Sequence, residues 1–360
     1  MMNITDWIRP EILQLSSYHI ADASGLIKLD AMENPYHWDD SFTQAWLESL
    51  QNIELNRYPD PTGQKLKQQL YQVMQIPSEL DMILGNGSDE IIQMLAMAVN
   101  KPDAVILAPE PSFVMYKHIA QMLGMRYVGV PLVEGQFNLD MFAMLEAIDT
   151  HQPALIFLAY PNNPTGNIFS RADIEDIIDC SPGLVVIDEA YSPFTDNSFL
   201  HCIHDYSNLL VMRTVSKLGL AGLRLGYLVG SKAWLEQIDK IRLPYNINTL
   251  SQLSAYFALT HIEMFQQQTQ QIRQDRAALL QKLREIPDIE VWDSETNFIL
   301  FRVADAVATY EFLKQQGILI KCLHGSHPAL NQCLRVTIGT ETENQAFLQA
   351  LQASSDGICR

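Results

Sequence analysis

Side chains able to do chemistry stand at the ends of three apolar runs in the middle of the chain. PNNPTG (161–166) follows ALIFLAY, IDEAY (187–191) closes LVVIDEAY, and TVSK (214–217) closes LLVMRTVSK. Singly, each has an ordinary structural explanation: a Pro- and Asn-rich loop is a turn, an acid after a strand caps a helix, and a Lys after Ser faces water. Together, a lysine, a carboxylate, an amide and a tyrosine at neighbouring strand ends match the needs of a pyridine-ring aldehyde cofactor. Lys217 would form a Schiff base with the aldehyde. Asp188 would hold the ring nitrogen protonated, so that the ring accepts electrons from the substrate carbon, and Asn163 and Tyr191 would hydrogen-bond the ring's phenolate oxygen. The cofactor phosphate needs donors. The helix start in GNGSDE (85–90) offers backbone N–H groups at Ser88, Asp89 and Glu90, Thr214 and Ser216 add hydroxyls, and Arg224 adds a fixed charge.

The elements that must position these groups are legible as an alternation. From about residue 82 to 230, short apolar runs (MILG, AVILA, ALIFLAY, LVVIDEAY, LLVMRTVSK, LGYLVG) alternate with helical patterns, including 88–100 and Arg171–Cys180. Continuous apolar strands between helices predict an α/β fold with a mostly parallel central sheet, covered on both faces, whose ligands gather at the carboxyl ends of the strands. After residue 231 helical patterns dominate to about 285, with a Gln-rich solvated face at 266–271. Two strand candidates, NFILFRV and CLRVTIGT, follow with helices around Tyr310 and Gln345, an α+β pattern that the LIKLD strand near the start could join. We therefore expect a large domain over 46–255 and a smaller domain built from 1–45 and 256–360.

Composition narrows the function classes. The chain has 360 residues, 48% of them hydrophobic, enough for about two domains. Its 24 Lys and Arg against 42 Asp and Glu give a formal charge of −18, which opposes binding to nucleic acid or to an anionic membrane. Five scattered cysteines without a CxxC pair fit a reducing cytoplasm, and the acidic start MMNITDWIRPEILQL is unlike a signal peptide. No apolar run approaches the eighteen or so residues of a membrane span. No metal is expected, because His201, His204, His324 and His327 lack ligand spacing, and the GNG turn is no dinucleotide fingerprint, since Glu90 stands where a third glycine would be.

An ordered series of motifs spans nearly the whole chain: LDAMENPY (29–36), NRYPDP (56–61), GNGSDE, PNNPTG, IDEAY, RTVSKLGLAGLRLGY (213–227), SETNFIL (294–300) and CLRVTIGT (333–340). In this the sequence resembles the fold type I pyridoxal-phosphate-dependent aminotransferases, and among them the class II histidinol-phosphate branch. The resemblance implies pyridoxal 5'-phosphate as cofactor and transamination between L-glutamate and imidazole acetol phosphate, giving 2-oxoglutarate and L-histidinol phosphate in histidine biosynthesis. It also implies a homodimer in which Tyr58 reaches the cofactor phosphate of the other subunit, and Arg335 gripping the substrate's anionic group; Asn163 is a further substrate-binding candidate, and either Tyr18 or Tyr36 is a candidate to line the substrate pocket. An aromatic-amino-acid aminotransferase or a phospho-amino-acid decarboxylase on the same fold is the alternative. The chain departs from the pattern at two places. Phe113 in PEPSFVMY stands where relatives commonly stack a Tyr on the cofactor ring, which keeps the stacking and loses a hydroxyl. The spacing from Lys217 to Arg224 is also one residue shorter than in many relatives.

Overall fold

In the computed structural model, which describes residues 3–17 and 21–358, the central apolar runs form a seven-stranded sheet. Its strands are β2 (Asp81–Gly85), β3 (Val105–Glu110), β4 (Arg126–Pro131), β5 (Leu155–Ala159), β6 (Leu184–Asp188), β7 (Leu209–Thr214) and β8 (Gly226–Gly230), the two-residue β1 (Ile27–Lys28) lying elsewhere. The order is β2-β8-β7-β6-β5-β3-β4; β3 to β7 are parallel and β8 runs antiparallel to both its neighbours. Strand β4 has no counterpart among the apolar runs. It is an edge strand, RYVGVP, carrying Gly and Pro and only partly buried, so continuous hydrophobicity does not mark it.

Because side chains alternate along a strand, each central strand feeds two cores. Leu155 and Phe157 on β5, Leu184 and Val186 on β6, and Leu210 and Met212 on β7 join one cluster, with the helices Ser88–Val99 and Met115–Met122. Ile156, Leu158, Val185, Ile187 and Val211 join another on the opposite face. Strand order also creates a switch point: from β3 the chain moves outward to β4, then returns to β5 and proceeds the other way through β6 and β7. The crevice above the carboxyl ends of β3 and β5 is where such sheets hold ligands.

A second sheet is antiparallel, in the order β12-β13-β10-β9, with β9 (Glu290–Val291), β10 (Phe298–Arg302), β12 (Lys321–Cys322) and β13 (Cys333–Thr337). Beside it β1 pairs in parallel with β11 (Ile318–Leu319), in register Ile27 to Ile318, so the two ends of the chain meet there. Phe298, Phe301 and Phe347 are fully buried in its core, each contributing about 1.5–3 kcal/mol of transfer free energy. Helices Thr249–Thr260 and Ile262–Arg284 link the sheets. The longer one buries Phe265, Thr269, Ile272, Leu279 and Leu283 at helical spacing and turns Gln266, Gln267, Gln270 and Gln271 to solvent, as the Gln-rich pattern predicts. Among the described residues no helix is long and apolar enough to cross a membrane, and no group of side chains is placed to hold a metal ion.

Candidate active site

The alternation that builds the two cores also aims the site residues. Asp188 shares its face of β6 with Leu184 and Val186, and Thr214 shares its face of β7 with Leu210 and Met212. Both therefore turn toward the helices that begin at Ser88 and Met115. Glu189 and Arg213 have the opposite parity and pair with each other at 2.7 Å on the other side of the sheet, a buried ion pair completed by Ser198 and the Phe199 N–H. The neighbouring acids Asp188 and Glu189 thus have separate environments. Past the end of β7 a tight turn, Ser216–Leu218, lifts Lys217 over the strand ends, and Gly219 at φ 120° lets the chain leave it.

Lys217, Asp188, Asn163, Tyr191, Ser216 and Arg224 line one cavity of about 120 Å³, with Ser88, Asp89, Phe113 and Thr214 also on its wall. Asp188 is 4% exposed. Burial raises its pKa to about 6, against the opposing effect of the Tyr116 hydroxyl, which donates to Oδ2 at 2.7 Å, and the Ala190 N–H, which donates to Oδ1 at 3.1 Å. Burial lowers Lys217 to about 8, helped by the positive charge of Arg335. Its Nζ donates to the Ala31 carbonyl at 3.4 Å and lies 5.7 Å from the Tyr191 ring centroid. The Tyr191 hydroxyl receives the Asn163 Nδ2–H at 3.1 Å and donates to Met32 Sδ at 3.1 Å, and burial raises its pKa.

At the other end of the cavity the helix Ser88–Val99 begins without a side-chain cap, leaving its first N–H groups for a ligand. Gly87, at φ 82°, makes that approach possible. A Cβ there would fall 2.6 Å from Arg224 Nη2, and one on Gly226 would fall 2.8 Å from the backbone of Gly87 and Ser88. Arg224, itself at φ 50°, reaches Asp89 Oδ2 at 3.3 Å, and the Thr214 and Ser216 hydroxyls are 2.8 Å apart. Cationic and hydroxyl donors around an uncapped helix start suit a phosphate. A buried carboxylate held at about 6 by burial suits a cationic ring nitrogen. On both counts the residues fit a phosphorylated pyridine cofactor.

Arg335 comes from the other sheet. Leu334 and Val336 pack into that sheet's core, so Arg335 on β13 turns the opposite way. Its Nη1 donates to Asn163 Oδ1 at 2.6 Å and its Nη2 to the Asp30 carbonyl at 3.2 Å. A larger cavity of about 520 Å³ adjoins the first, sharing Met32, Phe113 and Asn163 with it, and Arg335 is on its wall.

Glu90, Tyr58 and Tyr18 complete the expected residues. The Glu90 carboxylate turns back to accept from the Asn86 N–H and from Asn246 Nδ2, closing the turn before the helix. Tyr58 is 80% exposed and stacks on Tyr245 at 4.5 Å, outside both cavities of its own chain. Tyr18 lies outside the described residues. Sequence reasoning missed Tyr116 and Met32 as partners of Asp188 and Tyr191. PEPSFVMY and LDAMENPY contain both, yet nothing local says which residue across the fold each will touch.

A lysine and a carboxylate raised over parallel strand ends, with a guanidinium entering from a second sheet, define the class: an enzyme of the aminotransferase type, built as a pyridoxal-phosphate-dependent transaminase. The chain belongs to the class I and II aminotransferase family, whose model matches residues 24–351. It is 53% identical over 352 residues to histidinol-phosphate aminotransferase 2 of Nitrosococcus oceani, covering 97% of this chain and 98% of that protein. It is 48% identical to histidinol-phosphate aminotransferase 2 of Cupriavidus pinatubonensis, over 96% of each chain. Among solved structures, the histidinol-phosphate aminotransferase from Sinorhizobium meliloti in complex with pyridoxal-5'-phosphate shares the fold, with a TM-score of 0.85 over 98% of both chains at 22% identity.

Proposed function

We propose that the enzyme transfers an amino group between L-glutamate and imidazole acetol phosphate, giving 2-oxoglutarate and L-histidinol phosphate, a step of histidine biosynthesis, with pyridoxal 5'-phosphate as cofactor. The observation that carries this reading is Arg335, a buried guanidinium on the wall of the larger cavity that adjoins the Lys217 cleft, held by Asn163. Its planar fork suits both a carboxylate and a phosphate, the two anions that these substrates present in turn. Similarity over nearly the full length to enzymes named for histidinol phosphate supports the substrate.

The bound cofactor supplies an electron sink for the negative charge that develops on the substrate carbon. Lys217 would hold its aldehyde, Asp188 its ring nitrogen, Asn163 and Tyr191 its phenolate oxygen, and Phe113 its ring face. The N–H groups at Ser88, Asp89 and Glu90, the hydroxyls of Thr214 and Ser216, and Arg224 would hold its phosphate. With its pKa lowered to about 8, Lys217 Nζ has a substantial neutral fraction near pH 7.5, which lets it remove the substrate's Cα proton and redeliver it. The exposed Tyr58 supports a homodimer in which this residue completes the partner's phosphate site. The unpaired state of all four described cysteines suits a cytoplasmic enzyme. We retain the division into a large domain over 46–255 and a small one from 1–45 and 256–360.

The test is a half-reaction on the purified, cofactor-loaded enzyme. Histidinol phosphate should convert the long-wavelength cofactor absorbance to that of the aminated form with release of the keto product, and Lys217→Ala should lose both the absorbance and turnover. Faster conversion with phenylalanine, or CO₂ release in place of keto product, would sink the assignment.

A further inference from the structure

The larger cavity contains a charge arrangement that the transamination chemistry does not use. Glu110, the last residue of β3, accepts from Lys117 Nζ at 3.2 Å. Burial and the neighbouring Glu110 carboxylate raise the pKa of the Tyr127 hydroxyl, and Lys117 Nζ lies 5.6 Å from the Tyr127 ring centroid. All three side chains line the cavity that also contains Phe113, Asn163 and Arg335. The carboxylate rests over Gly129, where any Cβ would collide with it.

A transaminase of the proposed kind uses one side-chain subsite twice. One substrate brings a carboxylate, and the other brings an imidazole whose N–H needs an acceptor. A lone fixed cation would serve the first and leave the second unsatisfied, and a lone carboxylate would repel the first. We propose that the Glu110–Lys117 pair resolves this conflict by exchanging partners. Lys117 binds the side-chain carboxylate of glutamate, and Glu110 accepts the N–H of the imidazolyl substrate.

The geometry permits the exchange. The pair is partly solvated, with side-chain exposures of 23% for Glu110 and 51% for Lys117, so separating its members costs little. The Glu110 carboxylate stays seated over Gly129 when Lys117 turns to a ligand. His327, on the same wall, does not compete as a cation: burial lowers its pKa, and its Nδ1 accepts from the Ala329 N–H at 3.2 Å. The cavity's other lysine, Lys321, pairs in register with Arg335 across β12 and β13 and so belongs to the anion-binding end.

This inference rests on the proposed substrates, and its test keeps the two separable. Steady-state kinetics on the cofactor-loaded enzyme should show Glu110→Met, which removes the acceptor, raising KM for histidinol phosphate about tenfold with KM for glutamate within about twofold, and Lys117→Met doing the reverse, kcat changing little in either. Glu110→Asp should recover most of the loss, which distinguishes recognition from damage to the wall. Equal changes in both KM values, or none, overturn the proposal. A wild-type enzyme active with glutamate yet inactive with histidinol phosphate overturns the substrate reading and the Glu110 half with it. The Lys117→Met measurement with glutamate then decides the remaining half.

Discussion

The Tyr116 hydroxyl donates to Asp188 Oδ2 at 2.7 Å across 72 positions of sequence, joining the helix Met115–Met122 to the end of β6. Even with that bond and the Ala190 N–H, burial holds the Asp188 pKa at about 6, above its ordinary 3.8. A folded-state pKa above the unfolded value means that the native state binds the extra proton between about pH 4 and 6. Stability of the cofactor-free protein therefore falls as pH rises through that window, by about 3 kcal/mol from this group, and stays reduced above it.

Replacing Asp188 by Asn removes that cost. The cofactor-free Asp188→Asn protein should melt a few degrees above wild type at pH 7.5, and the difference should vanish below about pH 4, where Asp188 is neutral in both folded and unfolded chains. With cofactor added the order should reverse, because the Asn lacks the charge that would hold the ring nitrogen. Thermal melts at both pH values with and without pyridoxal phosphate read this directly. An unchanged melting temperature at pH 7.5 without cofactor would contradict the assignment of a buried, costly charge.

Arg335→Ala should raise KM for both substrates by one to three orders of magnitude, the effect of about 2–4 kcal/mol for an anion left without its partner. Arg335→Lys keeps the charge and loses the fork, so it should fall between the two. Because Asn163 Oδ1 accepts from Arg335 while its Nδ2 donates to Tyr191, the Ala variant also frees the Asn163 amide to rotate. A modest fall in kcat should accompany the KM effect. A wild-type KM for glutamate in Arg335→Ala would remove this residue from the anion site.

Tyr58 is exposed and lines neither of the two cavities of its own chain's site, so its proposed action is on a second subunit. Mixing Lys217→Ala chains with Tyr58→Ala chains should restore activity. Half the sites of a mixed dimer would combine an intact Lys217 from one chain with an intact Tyr58 from the other. Activity of the mixture no greater than the sum of its parts, with subunit exchange verified by mass, would place Tyr58 outside the site.

Much of the fold was legible because strands and helices declare themselves over short spans. The apolar runs ending at Ala159, Asp188 and Thr214 each became a buried parallel strand, and Arg171–Cys180 became a helix with the bounds its pattern indicates. Residues at the ends of those strands share a crevice because parallel strands bring their carboxyl ends together. Lys217, Asp188 and Asn163 could therefore be named from spacing and chemistry alone. The edge strand Arg126–Pro131 was not legible, because a strand half open to solvent lacks the continuous hydrophobic run that marks a buried one.

What the sequence by itself determined is thus the chemistry and its approximate address: which groups stand at strand ends, and that an uncapped helix start stands ready beside them. Tertiary structure decided partnership and direction. Only the packed fold selects Tyr116 for Asp188, Met32 for Tyr191 and Lys117 for Glu110, sends Glu90 back to Asn86 and Asn246, and turns Tyr58 outward. The physical reason is range. Periodicity and turn chemistry act over a few residues, whereas these contacts are set by how separate elements pack around shared cores, where each side chain's neighbours depend on the rest of the chain.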